Sequence, residues 1–313
     1  MSDAFQSRFS RREAIRAGVL AGAGVLLARS GPALSADPLI TRAIPSTGER
    51  LPAIGLGTDK FRRGEEDPIR AEIKRMSELG GTVIDTSSDY GDSEAIIGDA
   101  LAALGIRKRI FLATKLTGSG GFFGGPGGKA SFERSLDRLR TKQVDLLQVH
   151  NLDGTDQLMP MMREWKKAGM TRYLGVTTSR TGQHSELIRQ MRKYPLDFIQ
   201  VNYSIGDRAA ARDVLPLAVK RKMAVLINVP FAYGSLFRRA RSKPLPEWAA
   251  DIGVSSWAQF MLKYIIAHPA VTCAIPGSTK VAHLIDNQGA ARGPLPDEAM
   301  RRKMEQYWDT RVA

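Results

Sequence analysis

From residue 38 onward, eight short apolar runs alternate with eight longer amphipathic ones. This alternation, together with the Val and Ile content of the short runs, predicts an α/β fold of buried parallel strands joined by helical crossovers. Eight such units closing on themselves make a single-domain (β/α)8 barrel, an architecture that commonly takes about 250 residues. Strands are expected at 53–57, 83–85, 110–115, 144–150, 173–177, 198–202, 224–228 and 272–275. Helices are expected at 68–79, 93–104, 132–139, 159–167, 185–193, 209–221, 255–267 and 281–290. A short hairpin over 38–50 closes one end of the barrel, and an extra helix over 294–309 follows the last unit. A doubly wound open sheet is the alternative. It normally carries Gly-x-Gly-x-x-Gly after its first strand, and Gly55-Leu56-Gly57-Thr58 lacks the third glycine.

The chain has 313 residues, of which 43% are hydrophobic and 25% charged, so disordered, collagenous and coiled-coil classes are excluded. Its net charge of +14 raises an anionic or nucleic-acid partner. The basic residues are nevertheless spread along the chain, and only 237–243 sets them densely beside an aromatic, so nucleic acid is not expected as a partner. One cysteine, Cys273, excludes an internal disulfide framework and a thiolate-rich metal site. His184 and His268 lack ligand spacing, and no metal is expected.

The first 36 residues read as an export signal rather than as part of the fold. Ser10-Arg11-Arg12 precedes a Gly/Ala-rich apolar run over 17–28, then Gly31-Pro32, then small residues suited to a peptidase. Paired arginines before a mildly apolar run point to the twin-arginine route, with residues 10–36 addressing its machinery and the barrel occupying 37–313. The run is short for a membrane span, so an exported or periplasmic protein with no stable span after processing is expected.

Chemistry in a barrel sits at the C-terminal ends of its strands. Asp85 ends the second predicted strand and Tyr90 follows it; Lys115 ends the third and His150 the fourth. Each alone has an ordinary explanation, such as a helix cap, packing or a snorkelling lysine. Together they form a carbonyl-polarising proton donor. A phenol keeps its proton at neutral pH, a nearby ammonium lowers its pKa, a carboxylate holds the ammonium, and an imidazole orients a carbonyl oxygen.

At these residues the sequence resembles the aldo-keto reductases. The segment Val83-Ile84-Asp85-Thr86 through Tyr90-Gly91, then Ala113-Thr114-Lys115, then Asp145-Leu146-Leu147-Gln148-Val149-His150, is similar to that family's motifs in order and spacing. Gly175-Val176-Thr177, Gln200-Val201-Asn202 and Ile275-Pro276-Gly277-Ser278 continue it, and the likeness spans about residues 40–292. It implies reduction of a small-molecule carbonyl by a nicotinamide cofactor lying across the barrel mouth, with Tyr90 as proton donor. The cofactor residues it implies are Thr58, Asp85, Thr177, Thr178, Gln200 and Asn228, with Gly277, Ser278, Thr279, Lys280 and Asn287 at the adenosine end. NADP(H) is preferred on basic charge and family habit, and NAD(H) is the alternative. Thr177-Thr178 replaces a frequent Ser-Asn, and Asn228 stands where an aromatic often stacks on the nicotinamide. A cofactor-binding scaffold or partner subunit with vestigial turnover is the alternative function; the full set of four residues speaks for catalysis. Residues 117–128, Gly-rich around Phe122 and Phe123, read either as a flexible linker or as a lid over the substrate.

Overall fold

The computed structural model describes residues 37–119 and 128–313. The segment read as an export signal lies outside the described residues, as do residues 120–127 with Phe122 and Phe123.

A hairpin of β1 (Thr41–Ala43) and β2 (Arg50–Pro52) comes first. Eight parallel strands follow: β3 (Leu56–Gly57), β4 (Val83–Asp85), β5 (Phe111–Leu116), β6 (Val144–Val149), β7 (Thr171–Thr177), β8 (Phe198–Asn202), β9 (Ala224–Asn228) and β10 (Cys273–Ala274). Each pairs with the next, and bridges Ile54–Ala274 and Gly57–Gly277 join the last strand to the first. Hydrogen bonds from Gly55 N to Ala274 O (2.8 Å) and from Gly57 N to Pro276 O (3.1 Å) hold that seam. A Cβ on Gly57 would stand 2.8 Å from Ile275 O, so the seam closes only over a residue without a side chain. The fold is the closed (β/α)8 barrel.

The strands alternate with helices α1 (Glu66–Glu78), α2 (Ser93–Leu104), α3 (Lys129–Arg138), α4 (Thr155–Lys167), α5 (His184–Lys193), α6 (Ala210–Lys220), α8 (Trp257–Ile266) and α9 (Val281–Gly289). Between β9 and α8 lies α7 (Ser235–Ala240), and α10 (Glu298–Tyr307) closes the chain. Helical periodicity misses α7 because six residues are too few to show an apolar stripe. The other differences are at element ends. β7 starts at Thr171, the hairpin runs on to Pro52, and His150 sits just past β6 in a turn where Asn151 has φ +52°.

Alternation along the strands divides the apolar residues into two sets. Ile84, Leu112, Leu147, Leu174, Ile199 and Val225 belong to the large core shared with the helices. Their neighbours Val83, Phe111, Leu146, Tyr173, Phe198, Ala224 and Cys273 form a second, separate cluster within the barrel, joined by Ile44 and Leu51 of the hairpin. The rings of Phe111, Tyr173 and Phe198 meet there with centres 5.4–5.9 Å apart. Two or four residues further along the same inward rows stand Asp85, Lys115, Gln148, Thr177, Gln200 and Asn228. The lumen is thus apolar at its N-terminal end and polar at its C-terminal end, and the polar end is where the loops gather.

Candidate active site

The polar end is organised around one carboxylate. Lys115 reaches from β5 to the end of β4, where its Nζ donates to Asp85 Oδ2 at 2.5 Å and to Thr86 O at 2.8 Å. The two side chains are 1% and 3% exposed. A buried ion pair holds only when its remaining hydrogen-bonding capacity is met. Gln148 Nε2 and Gln200 Nε2 meet it by donating to Asp85 Oδ1 at 3.2 and 3.0 Å. Thr58 Oγ1 donates to the Asp85 backbone carbonyl at 2.9 Å.

Tyr90 lies against this pair, with Lys115 Nζ 4.9 Å from its ring centre. The His150 ring stands edge-on to it, centroids 5.7 Å apart at 83°. His150 Nδ1 is engaged by Ser87 Oγ (3.2 Å) and Asp89 Oδ2 (3.1 Å), which leaves Nε2 for a ligand. Burial is the largest influence on Tyr90 and holds its phenol above the ordinary value, although the Lys115 charge pulls it down. The expected lowering by the ammonium is present, but desolvation outweighs a cation whose charge Asp85 already balances. Burial also pushes Lys115 toward neutrality, but Asp85 and Tyr90 outweigh it and hold the ammonium above its usual range.

A cavity of about 730 Å³ opens above this floor. Tyr90, His150, Asp85, Thr58, Thr177, Gln200, Asn228 and Gly277 all line it, so residues from seven strand ends and their loops converge as expected from the sequence. Lys115 lies behind the floor rather than on it. Thr178 is fully buried, its hydroxyl donating to Gln183 Oε1 at 2.6 Å while its carbonyl accepts from Asn228 Nδ2 at 3.0 Å. Ser278, Thr279 and Lys280 continue the loop from Gly277 into α9, and Asn287 is buried one helix along.

Residues 53–307 match the model of the Aldo/keto reductase family. The chain belongs to the aldo/keto reductase family. Methylglyoxal reductase YeaE of Escherichia coli is 30% identical over 76% of this chain and 84% of its own length. The uncharacterised oxidoreductase YqkF of Bacillus subtilis is 28% identical over 77% of this chain and 86% of its own length. Among solved structures, an aldo-keto reductase from Klebsiella pneumoniae in complex with NADPH superposes with a TM-score of 0.72 at 24% identity, covering 88% of this chain and 98% of that one. This reductase therefore shares the family's barrel across nearly its whole described length.

The sequence reading passed over several groups in this reductase. Gln148 is two residues before His150 on the same inward row, so strand alternation contained its signal. Asp89 and Ser87 lie inside the Tyr90 motif yet serve His150. Asn151, Ser179 and Arg180 line the cavity from loops, as do Val229, Pro230, Phe231 and Tyr233 after β9, and Phe237 lines it from α7. Loop residues carry no periodicity, and nothing in their spacing announces them.

Proposed function

We propose that this protein reduces a small aldehyde or ketone with NADPH, Tyr90 delivering the proton to the carbonyl oxygen. The observation that carries the reading is Tyr90 and His150 on the floor of one cavity with the buried Lys115–Asp85 pair behind them. Bound there, a nicotinamide cofactor supplies the hydride.

The residues present fit such a cofactor. Asn228 Oδ1 is buried at the cavity wall without a hydrogen-bond partner among the described residues, an acceptor that suits an amide such as a carboxamide. Gly277 leaves backbone at the cavity edge, and the loop it begins leads to the N-terminus of α9, where N–H groups and the helix dipole favour phosphate oxygens. Thr177 and Gln200 end the two strands before that of Asn228 and would hold the ring end with it, with Ser278, Thr279 and Lys280 at the phosphate end. The NADPH in the similar Klebsiella structure supports the 2′-phosphorylated form.

In this reading His150 holds the substrate. Nδ1–H donates to the Asp89 carboxylate, which fixes the ring with Nε2 facing the cavity, and Nε2 donates to the carbonyl oxygen when the ring is protonated. That oxygen gains negative charge as its carbon is reduced, and Tyr90 gives up its proton. A phenol held above its ordinary value is a reluctant acid, and the Lys115 ammonium is the group that stabilises the phenolate left behind. Asp85 keeps that ammonium charged and in place. Tyr90→Phe tests the assignment, because it keeps the ring and deletes only the hydroxyl. Turnover of an activated aldehyde, followed by cofactor absorbance, is expected to fall on the order of 10²–10⁴-fold with cofactor binding retained. Unchanged turnover would show that the proton comes from elsewhere. Export through residues 1–36 is also part of the proposal and rests on Arg11-Arg12 and the apolar run behind them.

A further inference from the structure

The charges around the cavity balance, with one exception. Asp59 pairs with Lys60 at 3.4 Å and Asp85 with Lys115 at 2.5 Å, while Asp89, held by His150 Nδ1 at 3.1 Å, stands behind that ring and off the cavity lining. Arg180 also lines the cavity, and its guanidinium has no acceptor among the described residues. The backbone around it is fixed: Arg180 N donates to Thr178 Oγ1 at 3.1 Å, and Gln183 N donates to Arg180 O at 2.9 Å. An uncompensated cation so placed at the cavity mouth is chemistry awaiting an anion.

Its position says which anion. β6 and β7 are neighbours, and Asn151 N, next to His150, donates to Thr177 Oγ1 at 3.1 Å on the strand that leads to Arg180. The Arg180 loop is thus tied to the His150 loop, on the side where the carbonyl would lie. The Gly277–Lys280 loop proposed for the cofactor phosphates follows β10, three strands away around the barrel.

We infer that Arg180 selects carbonyl substrates that carry a carboxylate, its guanidinium gripping the carboxylate while Tyr90 and His150 face the carbonyl. The inference rests on the reductase reading and names the substrate class for that same site. A planar guanidinium with no internal partner matches a carboxylate through two parallel N–H···O bonds, and it has no competing acceptor to release first. Its neighbours in the cavity add no free negative charge to repel such a substrate, since Asp59 and Asp85 are already paired.

The test compares 4-carboxybenzaldehyde with methyl 4-formylbenzoate, which present nearly the same carbonyl with and without the charge. The wild-type kcat/KM ratio, acid over ester, is expected to be about 10- to 100-fold, the span of a hydrogen bond to a charged group. Arg180→Met should bring the ratio close to one through the KM of the acid, and Arg180→Lys should restore part of it. Binding is read separately by calorimetry, titrating 4-methylbenzoate and 4-methylbenzamide into the protein with NADP+. Tighter binding of the benzoate, lost in Arg180→Met, supports the assignment even where no aldehyde is turned over; that combination would refute the reductase reading alone. Equal binding of the two by wild type overturns the assignment. So does an Arg180→Met protein that binds NADP+ more weakly yet keeps its preference for the acid, because Arg180 would then be a cofactor ligand.

Discussion

Replacing Lys115 by Met separates what the buried pair does for the fold from what it does for the chemistry. The substitution keeps the length of the side chain and deletes an ammonium that is 1% exposed. Asp85 is left with the Gln148 and Gln200 amides as its side-chain donors among the described residues. Breaking a buried pair from one side costs about 3–5 kcal/mol, because the surviving charge is stranded out of water. For a domain of this size each kcal/mol moves the melting temperature by about 2–4 °C, so a fall on the order of 10 °C is expected. The double variant Asp85→Asn/Lys115→Met removes the stranded charge while its side-chain carbonyl still accepts from both glutamines. It should regain most of the lost stability and none of the lost turnover, since Tyr90 still lacks its cation. Thermal melts at neutral pH and hydride transfer to an activated aldehyde read the two effects. A Lys115→Met protein that melts within about 2 °C of wild type would refute the energetic argument. A double variant no more stable than the single one would refute its cause.

Three further outcomes follow from the structure and the sequence. Glu72 on α1 is buried, with no well-formed hydrogen bond to either carboxylate oxygen among the described residues, and burial raises its carboxyl from 4.5 to about 7, the nearby Ser278 hydroxyl lowering it by less. Because the folded value is raised, stability is highest below the unfolded pKa and falls as pH climbs from about 4.5 to 7. Glu72→Gln should flatten urea-denaturation stability over that window and gain about 3 kcal/mol above it; an unchanged profile would count against the burial argument. Replacing Arg11 and Arg12 together by Lys should leave full-length precursor inside the cell, read by fractionation and immunoblot, and normal export of that variant would dismiss the twin-arginine route. Fluorescence titration should show tighter binding of NADPH than of NADH, and equal affinities would remove the preference for the 2′-phosphorylated form.

The barrel was legible because its strands are short, apolar and regularly spaced, and because period-two alternation carries both the core and the site. Asp85, Lys115 and His150 fall on inward rows, so reading strand ends was enough to assemble them. Gln148 lies on such a row too, but a neutral amide draws no attention until the carboxylate it serves is seen. Thr178 shows the opposite failure: one residue past Thr177 on the same run, it turns away from the cavity and spends its hydroxyl on Gln183. For the Tyr90 phenol the sequence displays the neighbouring charge, which does lower it, and hides the desolvation that outweighs that charge. Arg180 and the residues after β9 were illegible for a different reason. Their place at the cavity depends on loop conformation, including positive φ at Asn151, Val229 and Tyr233, which no residue pattern announces.

Cys273 packs inside the barrel at 0% exposure, and burial first, with the Asp85 charge behind it, pushes its thiol well above the ordinary range. A thiol so placed is poor both as a nucleophile and as a target for oxidants while the barrel stays closed. As the chain's one cysteine it is therefore a built-in reporter: an alkylating reagent at native pH labels the protein only as fast as the staves part. Labelling rates measured across temperature would give the free energy of that opening without any engineered probe. The same seclusion lets the protein work in an oxidising or a reducing medium with its fold indifferent to the difference.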